Sequence, residues 1–330
     1  MTTLIQRIVG LARFVIGAAL LISGTQAWSQ YPERPIRVIV PWPAGAATDS
    51  VTRAVSERLA VRLGQPVVVE NRPGASGSIG TGVAAKAAPD GYTLTVATPD
   101  THAINPHLFK SLAYDPLKDF EPLVMYGRVN VVWLARSTLA ANNIPDLLAL
   151  AKASPGKVSY GSWGNGSTAH LAGAMLESAG GVEMVHVPFT GAAPAINALL
   201  GGHIDTIVYT PSVAVQHQRS GKAKVLGVAG STRALPLLPD VPTLAEQGVK
   251  GADLGSWQGM MVPAGVPIDV RERLTKEIMA VINMPEVSRF IQDQGLEPVK
   301  LPPQEFKAFV QDEYMRYGKI ISERRIRTDN

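Results

Sequence analysis

The sequence predicts an α/β protein of two lobes, each a mainly parallel sheet flanked by helices, with a ligand cleft between the lobes. Three observations carry this. At 330 residues the chain exceeds one ordinary core and suits two lobes of roughly 100–150 residues each. Short β-branched runs alternate with helical patterns, the order that builds parallel strands joined by right-handed crossovers. Hydrophobic residues at 46% against 18% charged, with 31 Gly and 25 Pro, belong to a folded chain rich in turns and not to a disordered one.

The first element is a leader. Arg7 precedes a largely apolar run over residues 8–22, interrupted by Arg13, and Ser23-Gly24-Thr25-Gln26 breaks it. Ala27 and Ser29 then place small residues at the −3 and −1 positions of a cut before Gln30, so residues 1–29 read as a secretory signal peptide. Retention of this segment as an anchor is the alternative, although the run is short for a bilayer span. The mature protein is expected to be soluble in the periplasm. With no cysteine, disulfides, thiol catalysis and lipid attachment through an N-terminal cysteine are excluded. Lys and Arg number 31 against 27 acidic residues, and Arg7 and Arg13 lie in the leader, so no basic stripe for nucleic acid exists. Arg324, Arg325 and Arg327 are the one notable basic run and suit a solvated helix end.

Residues 36–40 (IRVIV) predict a buried strand. A helix follows from Asp49 or Ser50 to about Leu63, with Val51, Val55 and Leu59 on one face. Residues 66–70 predict the next strand, 74–88 a small-residue helix, Pro89-Asp90-Gly91 a turn and 92–97 a third strand. Strands are then expected at 129–135, 157–160, 184–187, 204–209, 223–229 and 258–262. Helices are expected at 144–153, 167–179, 193–200 and 270–283, with a terminal helix beginning near Pro303. The simplest assembly makes lobe 1 discontinuous, residues 30–123 and 252–330, with lobe 2, residues 124–251, inserted and hinges near 121–127 and 251–257. Two sequential lobes remain the alternative.

Ligands of such sheets bind outside the carboxyl ends of the strands. Three loops at these places are rich in small residues, which let a backbone approach a ligand and present helix N–H groups to an anion. They are Pro41-Trp42-Pro43-Ala44-Gly45-Ala46-Ala47-Thr48-Asp49, Gly161-Ser162-Trp163-Gly164-Asn165-Gly166-Ser167-Thr168 and Pro188-Phe189-Thr190-Gly191-Ala192. Asp49 also suits a helix cap. Thr98-Pro99-Asp100-Thr101-His102 is a fourth loop of this kind, and its His102 is a candidate partner for a carboxylate or a structural residue. His170 and His186 read as packing beneath their loops, and His107, His203 and His217 have no metal-ligand spacing. No Gly-x-Ser-x-Gly elbow, phosphate loop or dinucleotide fingerprint occurs, and nothing assigns a base to Ser76, Ser162 or Ser167, so no enzyme, cofactor or metal is expected.

These residues resemble a known family. Tyr31-Pro32-Glu33-Arg34-Pro35-Ile36, Val40-Pro41-Trp42-Pro43-Ala44-Gly45 with Thr48-Asp49, Val69-Glu70-Asn71-Arg72-Pro73-Gly74-Ala75 and Ala88-Pro89-Asp90-Gly91-Tyr92 are similar to the Bug-type, TctC-like receptors of tripartite tricarboxylate transporters. Gly164-Asn165-Gly166-Ser167, His186-Val187-Pro188-Phe189, Gly201-Gly202-His203-Ile204-Asp205 and Leu238-Pro239-Asp240-Val241-Pro242-Thr243 extend the resemblance over the whole mature chain. It implies a periplasmic binding protein fold, a monomer that closes on a small carboxylate and passes it to membrane permease subunits. It implies ligand contacts from Trp42, Gly45, Ala46, Ala47, Thr48, Asp49, Gly164, Asn165, Gly166, Ser167, Thr190, Gly191 and Ala192, beside Thr98. Two departures stand out: Ala46 replaces one of two adjacent glycines, and Trp42 stands where Phe is more frequent. If Trp42 and Trp163 both line the cleft, an aromatic or longer ligand is favoured. Presentation of the closed clamp to a membrane sensor kinase is the alternative role.

Overall fold

A computed structural model describes residues 31–230, 232–233, 237–323 and 326. The leader and the basic run at Arg324, Arg325 and Arg327 lie outside the described residues.

The first strand, β1 (Ile36–Val40), pairs in parallel with β2 (Val67–Asn71) and β3 (Thr93–Ala97). Helix α1 (Ala47–Leu63) crosses from β1 to β2 and buries Val51, Val55 and Leu59 completely, the face read from the sequence. Burial of such side chains is worth about 1.5–3 kcal/mol each. After β2 a tight turn leads into α2 (Ser78–Ala85), shorter than the helix expected over 74–88 because Gly74, Ala75, Ser76 and Gly77 all take positive φ. Beyond β3 the expected loop is instead a π-helical turn (Asp100–Ile104) running into the short helix α3 (Asn105–Leu108).

Strand β4 (Phe120–Asn130) and strand β5 (Val132–Arg136) replace the single strand expected over 129–135. They belong to different sheets, and only Val131 separates them. The boundary drawn at residues 123/124 falls inside β4, which stays in the first sheet as far as Asn130. The second sheet then takes α4 (Ile144–Ala153), β6 (Ser159–Ser162), α5 (Thr168–Gly180), β7 (Val185–Pro188), α6 (Ala192–Leu200) and β8 (Thr206–Tyr209). Helix α7 (Pro211–Arg219) and β9 (Ala223–Val228) complete it. The chain returns as β10 (Gly255–Pro263), followed by α8 (Ile268–Ile282), α9 (Pro285–Asp293), β11 (Glu297–Leu301) and α10 (Pro303–Glu323).

The six-stranded sheet has the order β11-β4-β10-β3-β1-β2 and the five-stranded sheet β7-β6-β8-β5-β9. Both are mixed, with four strands of each running in one direction. β10 is antiparallel to β4 and β3, and β5 is antiparallel to β8 and β9. The reason is topological: a chain that leaves one sheet along β4 and returns along β10 lays those two strands side by side in opposite directions. The two passages are tied together, since the Ala229 N–H donates to the Val131 carbonyl at 2.8 Å and the Leu254 N–H donates to the Ala229 carbonyl.

β10 is also the strand on which α10 packs. Trp257 meets Phe306 edge-on at 5.6 Å, and its indole N–H donates to buried Glu313 at 3.3 Å. Gly259 lets the helix approach: a Cβ there would lie 2.3 Å from the Phe306 ring and 2.9 Å from the Val124 carbonyl oxygen. Gly259→Ala is therefore expected to destabilise the protein by about 1–3 kcal/mol through overpacking. A lowered urea midpoint at unchanged m-value is the outcome to look for; an unchanged midpoint would show that the sheet yields at no cost.

Candidate functional site

The loop after β1 is shaped from below. Gly45 adopts φ +84°, a left-handed turn that a side chain would strain, with open space around it. The Asp49 carboxylate, only 4% exposed, accepts the Gly45 N–H at 2.9 Å, the Asn71 amide at 2.9 Å and Arg53 Nε at 3.0 Å. Asn71 donates to the Trp42 carbonyl as well, at 3.0 Å. Burial pushes the Asp49 carboxyl up, but the donors from Arg53, Gly45 and Asn71 outweigh it and hold the group below its ordinary range. Asp49 thus stands under the loop and stays charged. The residue at the helix cap is Ala46, in extended conformation, and it supplies no side-chain hydrogen bond. The first N–H groups of α1, which have no intrahelical acceptor, are left without a side-chain cap.

They open on a cavity of about 200 Å³ between the two sheets. Of the residues singled out in the sequence, Trp42, Gly45, Ala46, Ala47, Thr48, Thr98 and Ala192 line it. Gln258 on β10 donates to the Thr48 hydroxyl at 2.9 Å, and its Oε1 is buried with no partner in the described structure. Val129 and Val131, Tyr209, Ser212 and Gln294 also line the cavity and were not foreseen, because they come from the sheet crossing, a strand end, a helix start and a helix end without a small-residue signature. None of the described lining residues is Lys, Arg or His.

Apart from Trp163 and Ala192, the second-lobe loop residues lie elsewhere. Gly164, Asn165, Thr190 and Gly191 line a separate cleft of about 590 Å³, which shares Trp42, Pro43 and Trp163 with the first cavity as a partition. Gly166 and Ser167 appear in neither lining: the Gly166 N–H donates to His170 Nδ1 at 3.2 Å, and the Ser167 hydroxyl caps α5 by accepting the His170 N–H at 3.3 Å.

The next residue, Thr168, is held by Asp100. Its carboxylate, 4% exposed, reaches across from the first sheet to the start of α5. It accepts both the backbone N–H and the hydroxyl of Thr168, and the Trp163 indole N–H at 3.1 Å. An anion sits on this helix N-terminus, but it is the protein's own. Nearby, the Ser76 hydroxyl donates to the Asn165 carbonyl, a second bond between the two halves.

The histidines are structural. His102 is fully buried, holds Thr101 Oγ1 at 2.8 Å, packs on Phe120 at 5.0 Å, and is pushed down to about 3 by burial, hence neutral. His186 stacks on His170 at 4.1 Å and meets the Ser162 hydroxyl at 2.6 Å. That Ser–His pair lines neither cavity. Among the described residues no cluster of His, Asp and Glu is placed to hold a metal.

Comparison with known proteins decides the family. The model of the "Tripartite tricarboxylate transporter family receptor" (TctC) matches residues 51–326. The chain belongs to the TctC receptor family. Protein BugT of Bordetella pertussis is 34% identical over 313 residues, covering 94% of this chain and 96% of BugT. Among solved structures, the periplasmic binding protein BugD superposes with a TM-score of 0.84 at 35% identity, covering 90% of this chain and 99% of BugD. MatC from Rhodopseudomonas palustris, solved with bound malate, superposes at 0.83 with 32% identity, covering 88% of this chain and 100% of MatC. TctC receptors are solute-binding proteins and not enzymes, and the two-lobed fold of periplasmic binding proteins is the one found here.

Asp100 makes the stability of the fold pH-dependent. Burial pushes its carboxyl up to about 6, against the donors from Thr168 and Trp163. The folded protein thus holds this proton more tightly than an unfolded chain with a carboxyl near 3.9. Its contribution to stability is full below about pH 4 and is lost as pH rises through about 6. Asp100→Asn is expected to remove this dependence, so that stability relative to wild type gains on the order of 3 kcal/mol between pH 4 and pH 7. Urea unfolding of both proteins across that range measures it; parallel profiles would contradict the assignment.

Proposed function

We propose that this receptor captures a small carboxylate in the Trp42 cavity and delivers it to the membrane permease subunits of a tripartite tricarboxylate-type transporter. The observation that carries this is the uncapped start of α1, with Ala46, Ala47 and Thr48 lining a cavity that offers no cation. A carboxylate is the group such a site accommodates. Hydrogen bonds to a charged group contribute about 1.5–3 kcal/mol each, so three of them approach the roughly 8 kcal/mol of micromolar binding. The MatC structure, with its bound malate, supports the ligand class. In this reading residues 1–29 direct export to the periplasm, and the mature chain acts as a monomer. One lobe comprises residues 31–130 and 255–323 around the six-stranded sheet, and the other is built on the five-stranded sheet between them, the halves hinging at Val131 and near 229–254.

Thermal-shift measurements against mono-, di-, tri- and aromatic carboxylates test the reading. A saturable rise in Tm with one chemical group supports it, since a ligand that binds only the folded form stabilises it. No shift with any acid, on folded protein stripped of co-purified ligand, counts against it. Ala47→Pro is a sharper probe. Proline suits the first helical position and follows the extended Ala46 without strain, yet it removes one N–H. The expected result is a carboxylate affinity reduced about tenfold or more with Tm of the free protein nearly unchanged. Undiminished affinity would place the anion elsewhere.

A further inference from the structure

With a carboxylate on the start of α1, the rest of the cavity decides what that carboxylate is attached to. Three rings contribute to its walls: Trp42 from the loop after β1, Trp163 from the loop after β6, and Tyr209 at the end of β8. Trp163 is fixed in place. Its N–H is held by Asp100 at 3.1 Å, and its ring stands edge-on to Tyr209 at 6.5 Å and 86°. Val129, Val131 and Val213 supply aliphatic surface between them.

Charge points the same way. A helix N-terminus carries roughly half an elementary positive charge; besides that of α1, the starts of α6 at Ala192 and of α7 at Thr210 and Ser212 reach the lining, likewise without a side-chain cap, and none of the three supplies a full charge. No Lys, Arg or His lies among the described lining residues, and the one charged side chain there, Asp100, is an acid. A second ligand carboxylate would be buried without a countercharge and beside a like charge. Polar groups of the wall are also partly engaged: the Ser212 hydroxyl donates to the Gln294 carbonyl at 2.9 Å, and the Thr48 hydroxyl already accepts from Gln258. An aromatic ring, in contrast, gains offset or edge-on contacts with fixed indoles at no desolvation penalty.

We propose that the cognate ligand is an aromatic monocarboxylate, its single carboxylate on the N–H groups at the start of α1 and its ring against Trp42 and Trp163. This rests on the receptor reading above and narrows it to a substrate class that differs from the malate of MatC.

The test is a titration of the purified protein at pH 7.5 with benzoate, phenylacetate and 4-hydroxybenzoate beside malate, adipate and citrate, read by calorimetry and by tryptophan fluorescence. At least one aromatic acid is expected to bind about tenfold or more tighter than each of the three polycarboxylates, and Trp42→Leu is expected to weaken it about tenfold. Tighter binding of malate, adipate or citrate overturns the aromatic assignment and leaves the receptor reading standing. No binding of any of the six acids by cooperatively folded protein overturns both. Should Trp42→Leu fail to fold, the wild-type ranking decides alone; a folded Trp42→Leu with undiminished aromatic affinity removes the ring contact and sinks the proposal.

Discussion

One buried carboxylate ties the two sheets together at the cleft. Asp100 stands on the turn after β3, within the first sheet's half of the molecule, and its oxygens take the donors that begin α5 in the other half. A helix start in a buried place must find acceptors; Ser167 supplies one locally and Asp100 supplies another across the cleft. The position of Trp163 follows, because its indole N–H shares the same acceptor. The partition between the two cavities follows in turn, since Trp163, with Trp42 and Pro43, is common to both linings.

The cleft is asymmetric as a result. Among the helix starts at the cleft, that of α5 is filled by Asp100, whereas that of α1 is capped only by Ala46. Asp49 reinforces the difference. It sits beneath the first loop, bound by Gly45, Asn71 and Arg53, so its charge holds the loop's shape without competing for the N–H groups above it. Two buried acids, each accepting a backbone N–H, would read alike among the polar residues. They do opposite things, one consuming a binding surface and the other building it.

Much of this was legible in the chain. The face formed by Val51, Val55 and Leu59 reports helix burial through its spacing, and the β-branched runs of β1 and β3 report buried strands. The loop that lines the cavity announced itself by small residues between a strand and a helix. Periodicity is silent on partners, however. It joined β4 to β5, since Val129 to Ala135 is an unbroken β-type run and nothing local marks Val131 as the crossing point. Helices α7 and α9 begin at Pro211 and Pro285, where proline reads as a turn although it also suits a first helical position. In the Thr98–His102 stretch attention went to the histidine, whereas Asp100 makes the contact that matters, with a residue 68 positions away. The glycine-rich loop of the second half was read as a ligand cradle for the same reason: a sequence shows that amides are available and not who has already taken them.

A cradle made of dipoles also bears on unloading. A carrier has to surrender its cargo at least as readily as it collects it. On the proposed binding mode, every group that grips the anion is neutral, so when the halves part, water replaces the anion at each N–H and hydroxyl and no stranded charge pulls it back. An arginine in the same place would remain a Coulombic trap in the opened molecule and would make retention depend on ionic strength. The uncapped start of α1 thereby favours a reversible grip, largely indifferent to salt, whose strength is set by how fully the cleft is shut and not by the charge left inside it.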